Sequence, residues 1–151
     1  MKDIFLEIDL KEKKAYIDQY VSLRNTYVDL LLTDAVSTEG TRKYLETSDN
    51  QIRCVVRGDE LIGAAILYLD RNGEITFFSK YKYIGIGSLL LSGIEKAAKE
   101  QQLSTVWAWV LKNNSSAQRS FEKNGYSVRA ITQKTYKGNS FQGVEYEKKI
   151  G

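Results

Sequence analysis

The run Lys82-Tyr83-Ile84-Gly85-Ile86-Gly87-Ser88 combines a cation, two glycines one residue apart and a hydroxyl. Glycine lets a backbone turn sharply and come close to a ligand. If a helix opens here, its first amides have no intrahelical acceptors, point together, and gain partial positive charge from the helix dipole. That arrangement binds phosphate. Lys82 then stands at the mouth, with Lys80 nearby. Two familiar phosphate loops do not fit. GxxxxGK[ST] is absent because Ser88 is not preceded by Gly-Lys, and GxGxxG fails because Leu90 holds the third glycine position.

Missing residue types exclude other chemistries. The chain of 151 residues contains no His, which removes His-based triads, His-rich zinc sites and HExxH hydrolysis. A single Cys, Cys54, can neither close an internal disulfide nor build a Cys cluster, so no metal is expected. Cys54 lies in an apolar run, 52–56, and reads as a buried thiol. A net charge of +3 suits an anionic ligand but does not argue for nucleic acid. The opening Met1-Lys2-Asp3-Ile4-Phe5 lacks the apolar stretch of a signal peptide. No apolar run approaches the roughly 20 residues that span a bilayer. The expectation is one cytoplasmic domain over 1–151, monomer or homodimer, with neither nucleic acid nor membrane as partner.

The elements that must position the glycine loop follow from periodicity. Ile17, Tyr20, Val21, Val28 and Leu31 recur at helical spacing and predict a helix over 13–32. A second helix is expected over 38–47, opened by Ser37 or Thr38. Strands follow at 52–57, 61–69 and 74–80, with turns at Gly58-Asp59 and Asn72-Gly73, as an antiparallel meander. The loop then opens a helix reaching Gln102, with Leu89, Leu90, Ile94, Ala97 and Ala98 on one face. A buried strand at 105–111, a helix at 114–123 stopped by Asn124-Gly125, and a hairpin of 126–136 with 141–149 complete the chain. Ser115 with Gln118 could form a capping box at that last helix. The order is ααβββ-α-β-α-ββ. The fold class is α/β, an α+β mixed sheet whose strand-helix-strand unit, 74–111, is a parallel crossover.

With these elements placed, Lys82-x-x-Gly85-x-Gly87 resembles the R/Q-x-x-G-x-G/A motif of the GNAT N-acetyltransferase superfamily, with Lys for the usual Arg or Gln. Asn114-x-x-Ala117-x-x-x-Phe121-x-x-x-Gly125-Tyr126 is similar to that superfamily's N-x-x-A-x-x-x-Y-x-x-x-G-F/Y pattern. The likeness covers about 52–150. It implies a GNAT-like sheet splayed at the cofactor site and acetyl-CoA as co-substrate. Its pyrophosphate would lie on Lys82, Tyr83, Ile84, Gly85, Ile86, Gly87 and Ser88. Its pantetheine would lie along Phe77 and Ser79 and against Asn114, Ala117 and Phe121.

The implied reaction moves an acetyl group to a primary amine, of a small molecule such as a nucleotide-linked amino sugar or of a protein N-terminus. The alternative is a non-catalytic acyl-CoA-binding or sensor domain of the same fold. Many superfamily members protonate the leaving thiolate with the motif Tyr, but Phe121 stands here and carries no proton. Tyr126 is the leading substitute, with Ser115, Ser116 or water as others. The base is open: Glu74 reads as a solvated turn residue, and Ser79 lies nearer the loop. The acceptor would be lined by Tyr20, Arg24, Asn25, Tyr27, Trp107, Trp109, Tyr136 and Phe141.

Overall fold

The computed structural model describes residues 4–80 and 85–151. Seven strands form one sheet in the order β1-β2-β3-β4-β5-β7-β6. They are β1 Phe5–Asp9, β2 Gln51–Arg57, β3 Glu60–Tyr68, β4 Glu74–Ser79, β5 Thr105–Leu111, β6 Ser127–Tyr136 and β7 Asn139–Lys149. All neighbouring pairs are antiparallel except β4 and β5. The helices are α1 Ile17–Asn25, α2 Val28–Leu31, α3 Thr38–Thr47, α4 Ile86–Glu100 and α5 Ser115–Lys123. Among the described residues no helix is long and apolar enough to cross a bilayer.

Two apolar layers sandwich the sheet. On one face α4 buries Ile86, Leu90, Leu91, Ile94, Ala97 and Ala98, and α5 adds Phe121. Ile75, Val106, Ala108, Val110 and Tyr146 meet them from the strands. On the other face α1 and α3 set Ile17, Tyr20, Leu23 and Leu45 against Ile52, Cys54, Ala64, Ile66 and Phe78. The alternation along β5 is why both faces fill. Val106, Ala108 and Val110 are buried on the α4 side, while Trp107 and Trp109 turn to the other face.

Two expectations are corrected. A strand, β1, precedes the first helix and pairs with β2 along the sheet edge. Leu6 is 58% exposed, so its pattern lacks the buried alternation that marks a strand in sequence. The long first helix over 13–32 is broken. A 3₁₀ turn at Lys14–Tyr16 leads into α1, which stops at Asn25, and α2 is a single further turn. Thr26 Oγ1 donates to the Leu23 carbonyl, competing with the backbone ladder. Leu32, at φ 51°, ends the second piece.

The meander, the α4 crossover and the final hairpin stand where the periodicity put them, with ends shifted by a residue or two. Asn114 rather than Ser115 caps α5, its side-chain oxygen accepting from the Ala117 amide at 3.3 Å. Gln118 forms no capping box; its amide nitrogen reaches the carbonyls of Leu111 and Lys112.

Candidate functional site

The sheet comes apart between β4 and β5, its one parallel pair among the described residues. β4 and β5 meet at Glu74 and Trp107, where the Trp107 amide donates to the Gly73 carbonyl, and are unpaired beyond. On its other edge β4 stays paired with β3 as far as Ser79. The Lys80 amide donates toward β3, to the Ile62 carbonyl at 2.7 Å. Backbone groups alternate sides along a strand, so Phe77 and Ser79 turn theirs toward the gap. The Tyr27 hydroxyl donates to the Ser79 carbonyl. The N–H and C=O of Phe77 face the gap as an open strand edge.

A cavity of about 360 Å³ occupies this gap and runs through the sheet. On the α4 side it meets Phe77, Asn114, Ala117 and Phe121. In the middle stand Glu74, Thr76, Trp109 and Lys134. On the α1 side it reaches Arg24, Leu31, Tyr68 and Arg71, with α2 lying over β5. A second cavity, about 470 Å³, adjoins it and shares Arg24, Ile66, Tyr68 and Arg71.

At the mouth of the gap α4 begins without a side-chain cap and without an acid in its first turn. The first ladder bond is Leu89 N–H to the Gly85 carbonyl, so the amides of Ile86, Gly87 and Ser88 open outward. Gly85 has φ 90° and nothing within 4 Å of where a Cβ would stand. That conformation is left-handed, and only glycine holds it cheaply. Gly87 is glycine for another reason: a Cβ there would come within 3.1 Å of Ser120 Oγ and 3.6 Å of the Phe77 ring. It lets α5 sit against the start of α4. Ile86 turns its side chain into the core, so only its amide is available to a ligand. Lys82, Tyr83 and Ile84 lie outside the described residues.

Asn114, Ala117 and Phe121 all line the gap. Phe121 is 2% exposed and packs edge-on against Phe77 at 5.2 Å and Tyr126 at 5.0 Å, and flat on Tyr146 at 5.7 Å. Tyr126 is not among the residues lining the cleft. Its hydroxyl donates to Glu95 Oε2 at 2.8 Å, and Lys148 holds the other oxygen of that carboxylate at 3.0 Å. Burial and then Glu95 push the Tyr126 pKa far up, so the hydroxyl is a fixed donor to α4 and not a proton source for the gap. Ser115 and Ser116 are exposed.

Of the residues expected to line the acceptor side, Arg24 and Trp109 line the cleft and Tyr20 the adjoining cavity. Asn25 does not; its side chain donates to the Val36 carbonyl and accepts from the Val36 amide, both at 2.9 Å, tying down the segment after α2. Tyr27 is held on Ser79 and stacks on Phe78. Trp107 donates from its indole nitrogen to the Arg71 carbonyl at 2.9 Å and lies under Arg129. Tyr136, at the hairpin end, donates to the Asp34 carboxylate at 2.9 Å.

Glu74 also departs from expectation. Its side chain is 15% exposed, it takes Arg71 at 3.3 Å, and it lines the cleft instead of facing solvent in a turn. Sequence reasoning did not single out Tyr68, Arg71 or Lys134. Lys134 sits 5.4 Å over the Trp109 ring. Burial lowers its pKa, opposed by Glu74 and assisted by Arg71. Only the alternation of β6 could have aimed it inward, and that pattern reads like any surface strand. Among the described residues no group of His, Cys, Asp and Glu is arranged to hold a metal.

A sequence profile described as "Acetyltransferase (GNAT) family" matches residues 14–126. The same fold occurs in yncA from Salmonella typhimurium, solved with its cofactor acetyl-CoA, at TM-score 0.81 and 16% identity over 99% of this chain and 94% of that one. It occurs in an N-acetyltransferase from Staphylococcus aureus Mu50, at TM-score 0.83 and 13% identity over all of both chains. A third is the Salmonella typhimurium acetyl transferase that modifies the N-terminal serine of ribosomal protein L7/L12, at TM-score 0.76 and 13% identity over 97% and 95%.

Proposed function

The chain belongs to the acetyltransferase (GNAT) family, and from that premise we propose that it moves an acetyl group from acetyl-CoA to a primary amine. The observation that carries this reading is the gap itself. An open strand edge, an uncapped helix start and a cavity crossing the sheet meet along one line.

Acetyl-CoA would supply an acyl carbon joined to a sulfur leaving group. The amides of Ile86, Gly87 and Ser88 would hold its pyrophosphate, with the dipole of α4 behind them. Phe77 would present its backbone N–H and C=O to the pantetheine amides, as a strand does to a neighbour. Asn114 keeps its side-chain NH₂ for the same arm, because its oxygen is spent on the cap. The amine would arrive from the α1 side and must be neutral to attack, although a typical amine is protonated near pH 7. Glu74 would accept its proton, directly or through water, since it is the carboxylate that lines the cleft there. As the C–N bond forms and the C–S bond breaks, the electron pair goes to sulfur. Neither Phe121 nor Tyr126 can protonate it. A thiol pKa near 8.5 makes thiolate a tolerable leaving group without an acid.

Phe121 also supports a second reading, an acyl-CoA-binding domain without turnover; the half-buried Glu74 in the same cleft favours the enzyme. Two measurements separate them. Acetyl-CoA at 100 times its Kd should stabilise the fold by about 2.7 kcal/mol. A panel of primary amines, small molecules and peptide N-termini, should release free CoA thiol. Stabilisation without release on any amine would favour the binding domain, and no stabilisation at all would sink both.

A further inference from the structure

Among the described residues, a buried guanidinium on the α1 side of the cleft has no carboxylate paired with it. Arg24 is 9% exposed and lines both cavities. Its hydrogen-bond partners are neutral: the Asp34 carbonyl at 3.2 Å, Thr33 Oγ1 at 3.3 Å and the Tyr68 side chain. Among the described residues no carboxylate forms an ion pair with it. The nearby acid of Asp34 is turned away, accepting from the Tyr136 hydroxyl. Glu74 is engaged by Arg71, and Lys134 adds another cation to the same cavity. A charge taken out of water without a partner is costly, and arginine presents five donors in a planar fork. Those used among the described residues go to neutral oxygens. A protein that keeps such a group between two cavities has left it for a ligand anion.

We propose that the acceptor carries a carboxylate beside its amine, that Arg24 receives the carboxylate, and that the acceptor is therefore of the α-amino acid class. The planar fork matches a carboxylate in two-point contact. The amine then reaches the β4–β5 gap, and the remaining side chain enters the second cavity. That cavity is walled by Tyr20, Val36, Tyr44, Ile52 and Ile66, with hydroxyls at Ser37 and Thr41; Arg71 lines it too, with its charge met by Glu74, so the cavity suits an uncharged side chain of moderate size. This assignment rests on the acetyl-transfer reading and adds the substrate class to it. The balance is unchanged: the nitrogen gains the acetyl carbon and loses a proton, sulfur keeps the bonding pair, and the carboxylate takes no part.

The test uses matched amines at saturating acetyl-CoA: L-leucine against isoamylamine, L-phenylalanine against 2-phenylethylamine, and L-serine against ethanolamine and O-phosphoethanolamine. The carboxylates should be preferred by about 100-fold or more in kcat/KM, because a site built around a polar contact rejects the analogue lacking it. Arg24→Met should raise KM for the carboxylates until the preference falls within about threefold, with KM for acetyl-CoA unmoved, and Arg24→Lys should restore part of it. Should Arg24→Met fail to fold, the wild-type comparison stands alone. Equal or better turnover of the decarboxylated amines, or a preference for O-phosphoethanolamine over serine, overturns the carboxylate while leaving acetyl transfer intact. Transfer to no amine at all overturns the transferase reading and this one together.

Discussion

Tyr126 and Glu74 bear on how protons would move in the proposed reaction, and neither stands where its sequence position suggested. Tyr126 follows the glycine of a family motif, yet its hydroxyl is anchored on Glu95. Tyr126→Phe should therefore leave kcat within twofold of wild type across the pH range. It should cost about 1.5–3 kcal/mol of stability, the worth of a hydrogen bond to a charged group, measured by denaturant unfolding. A tenfold loss of kcat would return Tyr126 to the chemistry. Glu74 follows Asn72-Gly73 and looks solvated in sequence, but the gap beside it closes at its own pairing with Trp107. Glu74→Gln should lower kcat by roughly 10²–10⁴-fold with the Kd for acetyl-CoA unchanged. Retained kcat would remove it as the base. Gly85 and Asn114 were legible because local backbone geometry, a left-handed φ and a helix cap, demands them. Glu74, Tyr68 and Lys134 were not, because what brings them together is strand pairing between residues far apart in the chain.

The start of α4 is set by two glycines with different jobs, and the difference is measurable. Gly85 carries a positive φ in open space, whereas Gly87 makes room for Ser120. Gly87→Ala should destabilise by about 1 kcal/mol through crowding and weaken acetyl-CoA binding as α5 shifts. Adding Ser120→Ala should recover much of the stability, and a double-mutant cycle reads the coupling. Strict additivity would show that the two helices do not meet there. Elements with a plain apolar run or a clean period were legible: the meander, whose β3 is buried without interruption, α4 and the alternating β5. The broken first helix was not, since Ile17, Tyr20 and Leu31 keep helical spacing across a chain that turns at Thr26. The turn is enforced from outside, by Asn25 holding Val36 and Tyr27 holding Ser79. β1 escaped notice because an edge strand buries only part of one face.

At the scale of the molecule, Cys54 offers a reporter of opening. It is 1% exposed in the layer between the sheet and α1, and burial pushes its pKa well up. A thiol in that state does not react until the fold opens. Labelling by a thiol reagent in its slow regime should therefore track global stability, and acetyl-CoA at 100 times its Kd should slow it about 100-fold. Rapid labelling unaffected by ligand would place Cys54 in a locally opening region. The arrangement of the strands also has a mechanical consequence. β1 to β4 form one ribbon, β5 to β7 another, and among the described residues the ladder joins them at one rung, Glu74 with Trp107. Load applied across that seam falls on the rung in series and not on a row of bonds in parallel. The seam is then the compliant axis of the molecule: the two ribbons can flex against each other there, while each stays stiff along its own hydrogen-bonded rows.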